Sequence, residues 1–579
     1  MSEKKLHPII QEAQEQLRKG RISRREFIRI STLLGMSAMS AAALASCAPK
    51  ETATPAPATS APAATATPVP PTATSAPAAT PTSAATPTPA AEMPVRGGTL
   101  KASTRVERVD HPARFSLVSQ SHPWRHVFEY LTYIDAKGIA HPYLLESWEA
   151  SDDLMTWKLN LRKGIKFNNG KELTADDVVF NFNQWLDVNV GSSLLGQMSY
   201  LDASGVEKVD DYTVVLHLKN PSITVPYDLY HYGAMIVPKE FEGDITRQPI
   251  GTGAFTMAEY VPGERCRLVR REGYWRNGKD GKPLPYLDEI IMVQLGEDPT
   301  AGLSALKTGE VDTVIEPPVT VWQGVRDDPN FVIISTPTSA TRVLRVRVDQ
   351  EPWTDNRVRL ALKYCHNREK ILALALMGEG TIGNDSHVAP AHPEYCPVDP
   401  FPYDPEKAKA LLAEAGYPNG LDVTLTVVSD WPETMAYAQA LKEDAAPAGF
   451  RITLNTMPAS QFWDGWTEWN MSVTWWAHRP LAIMTLPLAY ISRDGKPVPW
   501  NESRWVDAEF EQLLQEAMRT LDLEKRREIM CKLETIQKER GSICTPFFMN
   551  VWTIHSKKVH DVPPSPEEFA VYYETWKEA

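Results

Sequence analysis

Trp157-Lys158-Leu159-Asn160-Leu161-Arg162-Lys163-Gly164-Ile165-Lys166-Phe167-Asn168-Asn169-Gly170, followed closely by Leu173-Thr174-Ala175-Asp176-Asp177-Val178, holds a strand, its turns and the start of a helix in one short stretch. Apolar and polar residues alternate from Thr156 to Leu161, the period of a strand with one covered face. Gly164 and Gly170 supply the turns. Thr174 then caps free amides at a helix start, and Asp177 at the third helical position is favourable against the helix dipole. The same alternation predicts strands over 97–102, 212–218 and 265–269. Trp124 to Tyr133 reads as a helix with Val127, Tyr130 and Leu131 on one face. From Asn356 onward helix signals dominate. Asp404-Pro405 opens one helix and Gly416 closes it, with Ala408, Leu411, Leu412 and Ala415 as its buried stripe. The mixture predicts an α/β protein built in lobes. Residues from about Pro94 to Ala579 suffice for several lobes, with no internal repeat and no second low-complexity break.

The first ninety residues carry an address and a tether. Ser23-Arg24-Arg25-Glu26-Phe27-Ile28-Arg29 precedes an uncharged run from Ile30 to Ala45 and matches the twin-arginine export signal. Leu44-Ala45-Ser46-Cys47 has the form of a bacterial lipobox, with Cys47 acylated as the first mature residue. A membrane-spanning helix is the alternative, but Ile30–Ser46 is short of ~20 strongly apolar residues and is diluted by Ser31, Gly35, Ser37 and Ser40. Residues 1–46 are therefore read as a signal peptide and 47–93 as a lipidated cysteine plus a disordered linker. Residues 51–90 contain only Ala, Pro, Thr, Ser and Val apart from Glu51, too little apolar surface to offset the entropy of folding. Proline biases such a linker toward an extended form that reaches ~3.1 Å per residue, ~120 Å at most. The expected location is the outer face of the cytoplasmic membrane.

The chain has 60 Lys or Arg and 73 Asp or Glu; removing the eight bases and four acids of residues 1–46 leaves a formal net charge of −17. That balance suits solubility and argues against a nucleic-acid partner. Beyond Cys47 an odd set remains: Cys266, Cys365, Cys396, Cys531 and Cys544. Cys531 with Cys544 is one pairing, and buried free thiols are the other reading. No G-x-S-x-G elbow, H-E-x-x-H helix or Walker loop is present, so the chain is not expected to be an enzyme or to hold a cofactor.

Further strings fall in a fixed order: Arg96-Gly97-Gly98-Thr99-Leu100, Pro142-Tyr143-Leu144-Leu145-Glu146-Ser147-Trp148, Ile250-Gly251-Thr252-Gly253-Ala254-Phe255, Arg271-Glu272-Gly273-Tyr274-Trp275, Thr308-Gly309-Glu310-Val311-Asp312, Asn356-Arg357-Val358-Arg359-Leu360-Ala361-Leu362 and Leu411-Leu412-Ala413-Glu414-Ala415-Gly416-Tyr417. With the opening stretch they resemble the family 5 extracellular solute-binding proteins, the peptide and nickel class that serves ATP-driven importers, from about residue 95 to about 560. The resemblance implies a two-lobed, type II periplasmic-binding-protein-like α/β fold with an extra N-terminal subdomain. Lobe I would take about 95–135, 250–340 and 545–579, the extra subdomain 136–249 and lobe II 341–544. Gly251, Gly253, Gly273 and Gly309 read as turn residues tolerating positive φ, and Trp148, Trp157 and Trp275 as core aromatics. The implied partners are ABC permease subunits, a small-molecule or peptide ligand, and the membrane through the lipid anchor, with the binding protein a monomer.

In peptide-binding members a loop in one lobe and a tryptophan-bearing strand in the other grip the ligand. The corresponding positions here are Val118-Ser119-Gln120-Ser121-His122 and Thr474-Trp475-Trp476-Ala477-His478-Arg479. Backbone pairing there gives affinity independent of side-chain identity. An aspartate after Trp-x-Ala typically meets the ligand's α-amino group, but this chain has His478, then Arg479. Two cationic groups there would repel an ammonium, which disfavours ordinary free peptides and points to a peptide-like or anionic organic solute. Arg342, Arg345 and Arg347 are read as lying on one strand face, where they either clamp carboxylate or phosphate oxygens or pair with local acids such as Asp349 and Glu351. Phe462, Trp463, Trp466 and Trp469 are expected in the core, with Trp475 or Trp476 in the cleft. His122, His126 and Glu129 at helical spacing offer a metal reading that fits a nickel or metal-chelate carrier, against the reading in which each is partnered separately. A ligand sensor without transport is the remaining alternative.

Overall fold

The computed structural model describes residues 93–578, apart from 297, 299, 494 and 568. The signal peptide, Cys47 and the linker lie outside the described residues. Strand Thr156–Leu161 buries Trp157, Leu159 and Leu161 and turns Lys158 to solvent, as its alternation requires. It pairs antiparallel with Leu145–Ala150 and Thr213–Leu218, and Leu201–Asp210 completes a four-stranded sheet. Helix Ala175–Leu186 buries Val178, Phe182 and Trp185. Its start is a capping box in which the Thr174 amide donates to Asp177 Oδ2 at 2.8 Å.

A twelve-stranded sheet runs through the rest of the molecule. At one end Thr99–Ser103 lies parallel to Glu289–Val293 and to Thr313–Val314, with Arg265–Arg270 and Phe255–Val261 continuing antiparallel to the edge. At the other end Leu421–Val428 runs parallel to Phe450–Met457 and to Met471–Trp476. These are the sheet cores of the first and second lobes. Two long strands join them: Phe331–Val346 pairs antiparallel with Phe547–Ser556 in the first lobe and with Met471–Trp476 in the second. The ladder between the two long strands is regular except for one register shift between Pro337 and Thr341. Helix Pro405–Glu414 is capped by Asp404, which accepts from the Lys407 amide at 2.9 Å; Ala408, Leu411 and Leu412 are buried and Ala415 is half-buried.

Three expectations are corrected. Trp124–Tyr133 is not a helix: only Trp124–His126 makes a 3-10 turn, and a strand begins at Thr132. The carbonyls of Val127, Glu129, Tyr130 and Leu131 accept instead from the amides of Gly253, Ile236, Leu144 and Leu145, so no helical ladder can form. Trp124 and Phe128 are buried as fully as Val127 and Leu131, and every residue from Trp124 to Thr132 is buried, with Tyr133 alone of this segment exposed. Gly273 and Gly309 do take positive φ, 69° and 74°, but Gly251 and Gly253 do not; they are small because a Cβ would lie 2.0 Å from the Val127 carbonyl and 2.4 Å from the His126 carbonyl. Cys531 pairs with Cys396, across 135 residues, and Cys544 is a buried thiol, as are Cys266 and Cys365.

Candidate functional site

Met471–Trp476 sits beside the long strand in the register Thr341↔Trp476 and Arg342↔Trp475, which sends the two tryptophans to opposite faces. Trp475 is 46% exposed; Trp476 is buried and donates its indole N–H to Glu502 Oε1 at 2.9 Å. The chain then leaves the sheet and meets Ser339, which lies in the one irregular step of the long ladder. The Ser339 amide donates to His478 Nδ1 at 3.0 Å, and the Arg479 amide donates to Ser339 Oγ at 3.0 Å. A backbone N–H only donates, so Nδ1 is unprotonated and Nε2 carries the ring hydrogen. Nε2 faces Glu567 Oε1 at 3.2 Å, an acid from the C-terminal segment packed with the first lobe. His478 is thus held by Ser339 through Nδ1 with Nε2 towards Glu567, and the guanidinium next to it in the chain is that of Arg479. Its guanidinium makes no hydrogen bond among the described residues, and burial pushes its pKa down while Glu567 and Tyr232 pull it back up.

The arginines of the long strand lie on two faces, not one, because the interval from 342 to 345 is odd while that from 345 to 347 is even. Arg342 pairs with Glu433 at 2.5 Å and stacks on Trp431 and Trp475, 4.6 and 5.6 Å from their ring centres. Arg345 is fully buried, 3.7 Å from Glu502, and donates to the carbonyls of Trp466 and Trp469. Arg347 holds Asp349 at 2.8 Å and Glu468 at 3.0 Å. Local acids and carbonyls thus occupy all three, and Arg345 and Arg347 are brought to structural positions rather than to a cleft. Of the aromatic group, Phe462 is fully buried and Trp463, Trp466 and Trp469 pack half-buried around it.

The Val118–Ser121 turn is likewise committed inward. Ser119 Oγ donates to Glu107 at 2.6 Å, Gln120 Oε1 accepts from the Ser116 and Leu117 amides, and Ser121 Oγ donates to the Val118 carbonyl. His122 is fully buried and bonds Thr104 Oγ1 through Nδ1 at 2.9 Å, with Glu316 3.8 Å from Nε2. The metal reading fails on geometry. His126 spends Nδ1 on the His122 carbonyl and Nε2 on the Tyr572 amide, and Glu129 is bound by Tyr274 Oη at 2.5 Å and Trp275 Nε1 at 3.0 Å. Without a helix the three never share a face, and no cluster of three or more ligating side chains exists among the described residues.

One cavity lies where the lobes and a hinge strand meet, and another lies within the first lobe. One, about 330 Å³, is bounded by Val319 and Gln323 of the first lobe, Met377 and Pro432 of the second, and Met549 and Trp552 of the shorter joining strand. The other, about 250 Å³, opens at the carboxyl ends of the parallel first-lobe strands beside Thr104, Arg105 and Glu316, the usual side for ligands in α/β sheets. Sequence reasoning reached Trp475, His478 and Arg479 but missed Ser339 and Glu567. Only spatial folding brings residues this distant in the chain together; the one local hint was an acidic pair in the proline-rich Val562-Pro563-Pro564-Ser565-Pro566-Glu567-Glu568.

Two sheet cores on shared strands, with a cavity between them, define a two-lobed binding protein of the periplasmic type II class. The family model of the bacterial extracellular solute-binding proteins, family 5 Middle, matches residues 140–493, and the chain belongs to that family. It is 26% identical over 491 residues to di/tripeptide-binding protein 1 of Pseudomonas aeruginosa, covering 77% of this chain and 88% of that one. It is 28% identical over 432 residues to heme-binding protein A of Haemophilus influenzae, covering 68% and 76%. The structure of HbpA2 from Haemophilus parasuis superposes with a TM-score of 0.74 at 24% identity, over 83% of this chain and all of that one. The chain is thus a solute-binding component of an ABC importer.

Proposed function

We propose that this protein captures a carboxylate-bearing organic solute, peptide-like or smaller, between its lobes and passes it unchanged to its permease. The observation that carries this reading is Arg479: a partly buried guanidinium near Glu567 and Tyr232, four residues after the exposed Trp475, with no hydrogen-bond acceptor of its own among the described residues. A guanidinium matches a carboxylate through two parallel hydrogen bonds, and the bare Trp475 face suits an apolar or planar ligand body. Relatives named for di/tripeptides and for heme bind molecules that share carboxylates, which supports the same chemistry. The solute's binding energy shifts a hinge equilibrium toward the closed form that docks on the permease. The boundaries read from the sequence, lobe I at about 95–135, 250–340 and 545–579, extra subdomain 136–249 and lobe II 341–544, accompany this proposal. So does anchoring at Cys47 after twin-arginine export, and Cys47→Ser should move the protein from the membrane to the soluble fraction.

The test is calorimetry with short peptides carrying a free or an amidated C-terminus, after mass spectrometry of whatever co-purifies. Amidation and Arg479→Ala should each weaken binding about tenfold or more, the scale of a lost charge-assisted pair. Tight binding of amidated peptides, undiminished by Arg479→Ala, refutes the proposal.

A further inference from the structure

A cavity of about 780 Å³ does not lie between the lobes, for no residue from 341 to 544 lines it. Its walls are aromatic: Tyr130, Tyr143, Tyr230, Trp275 and Phe569 stand around it. At its inner end is Arg125, only 2% exposed. Arg125 Nε donates to Ser121 Oγ at 2.9 Å, which fixes the plane of the guanidinium, while Nη1 and Nη2 have no hydrogen-bond partner. The group lies over the rings of Phe569, Tyr130 and Tyr230, 3.1, 4.4 and 5.2 Å from their centres. The acids at the cavity are all engaged elsewhere: Glu129 by Tyr274 and Trp275, Glu574 by Arg276, Asp561 by Lys279 and Asp135 by His141. The cations are not all matched. Arg162 donates Nε to the Tyr143 carbonyl at 2.8 Å and pairs with no carboxylate among the described residues. Arg125, deeper in, has no hydrogen-bonded carboxylate or carbonyl on its two terminal nitrogens among the described residues; Tyr230 and Glu567 are near it, and Glu567 also acts on Arg479.

We infer that this cavity is a second binding site, separate from the interlobe seat, for a small aromatic carboxylate whose acid group takes the two free nitrogens of Arg125. A carboxylate accepts two parallel hydrogen bonds from such a fork, and the surrounding rings exclude water and stack on a flat body. A buried guanidinium with unmade hydrogen bonds is costly, so occupancy removes a standing penalty as well as adding contacts. The volume suits a ligand of ordinary metabolite size. Because the second lobe contributes nothing to the walls, binding here does not require the lobes to close.

The experiment uses the full chain and two probes of nearly the same shape, phenylacetate and phenylacetamide, followed by calorimetry and ligand-observed NMR. Phenylacetate should bind at least about tenfold more tightly than the amide, and Arg125→Lys, which keeps charge but loses the fork, should erase that preference. Arg479→Ala should leave it intact, which separates this site from the interlobe one. If Arg125→Lys does not fold, Arg162→Gln at the cavity mouth should weaken phenylacetate and spare phenylacetamide. Equal binding of acid and amide, no binding of either at millimolar concentration, or an acid preference that survives the Arg125 or Arg162 substitution and vanishes in Arg479→Ala would overturn the inference. The rings alone would then account for Arg125.

Discussion

Replacing Glu502 by alanine should uncouple the strand that presents Trp475. Glu502 is buried; one oxygen accepts from Thr474 Oγ1 at 2.8 Å and from the Trp476 indole at 2.9 Å, and the other lies 3.7 Å from Arg345 Nε. Burial, helped by the neighbouring Arg347 and Arg504, holds the Arg345 pKa down to about 10, with Glu502 as the main opposing influence. Glu502→Ala leaves a buried guanidinium without its acid and strands two donors. Removing one member of a buried pair costs about 3–5 kcal/mol. For a unit of 150–250 residues each kcal/mol lowers Tm by about 2–4 °C, so the second-lobe transition should fall by roughly 6–20 °C. Replacing both members by apolar residues of similar size, Arg345→Met with Glu502→Leu, should recover most of the loss. Differential scanning calorimetry and urea titration followed by tryptophan fluorescence read both variants. A Glu502→Ala protein within about 1 kcal/mol of wild type, or a double variant less stable than the single one, refutes this account of the pair.

Other outcomes follow from the same geometry. His231, His387 and His392 are pushed down to about 3, and His126 and His366 to about 4, all chiefly by burial. The unfolded chain binds these protons first, so stability should be full above about pH 6.5 and fall as pH drops toward 4, measured by urea midpoints across pH. Glu534 runs the other way: burial raises it to about 8, so its contribution declines as pH rises from its unfolded value, about 4.3, to 8, and Glu534→Gln should remove that slope. Reducing Cys396–Cys531, or Cys396→Ser with Cys531→Ser, should cost about 4–5 kcal/mol because the bridge closes a loop of 135 residues. Gly253→Ala places a methyl 2.4 Å from the His126 carbonyl and 2.8 Å from Tyr573 Oη, and should lower stability by about 1–3 kcal/mol in thermal melts.

What was legible in the sequence was local. Alternation at Thr156–Leu161, the Thr174–Asp177 box and the Asp404 cap are decided by neighbours within a few residues, and the structure reproduces them. Trp124–Tyr133 misled because its periodicity was read as one face when all sides from Trp124 to Thr132 are covered, and its carbonyls serve three other segments. The three arginines followed a strand whose parity decides their partners, and the partners, Glu433, Glu502 and Glu468, come from much later in the chain. The candidate seat is harder still. His478 is held by Ser339 and faces Glu567, so its partners were unreadable without the fold.

The two lobes share one hydrogen-bonded fabric, so they cannot part like separate leaves; any opening must twist a continuous pleat. The irregular step from Pro337 to Thr341 is where that pleat is already slack, and Ser339 within it is the residue that steers the His478 ring. A change of backbone at this step would move the Ser339 amide that holds the imidazole, so that the aim of one side chain follows the set of the long strand.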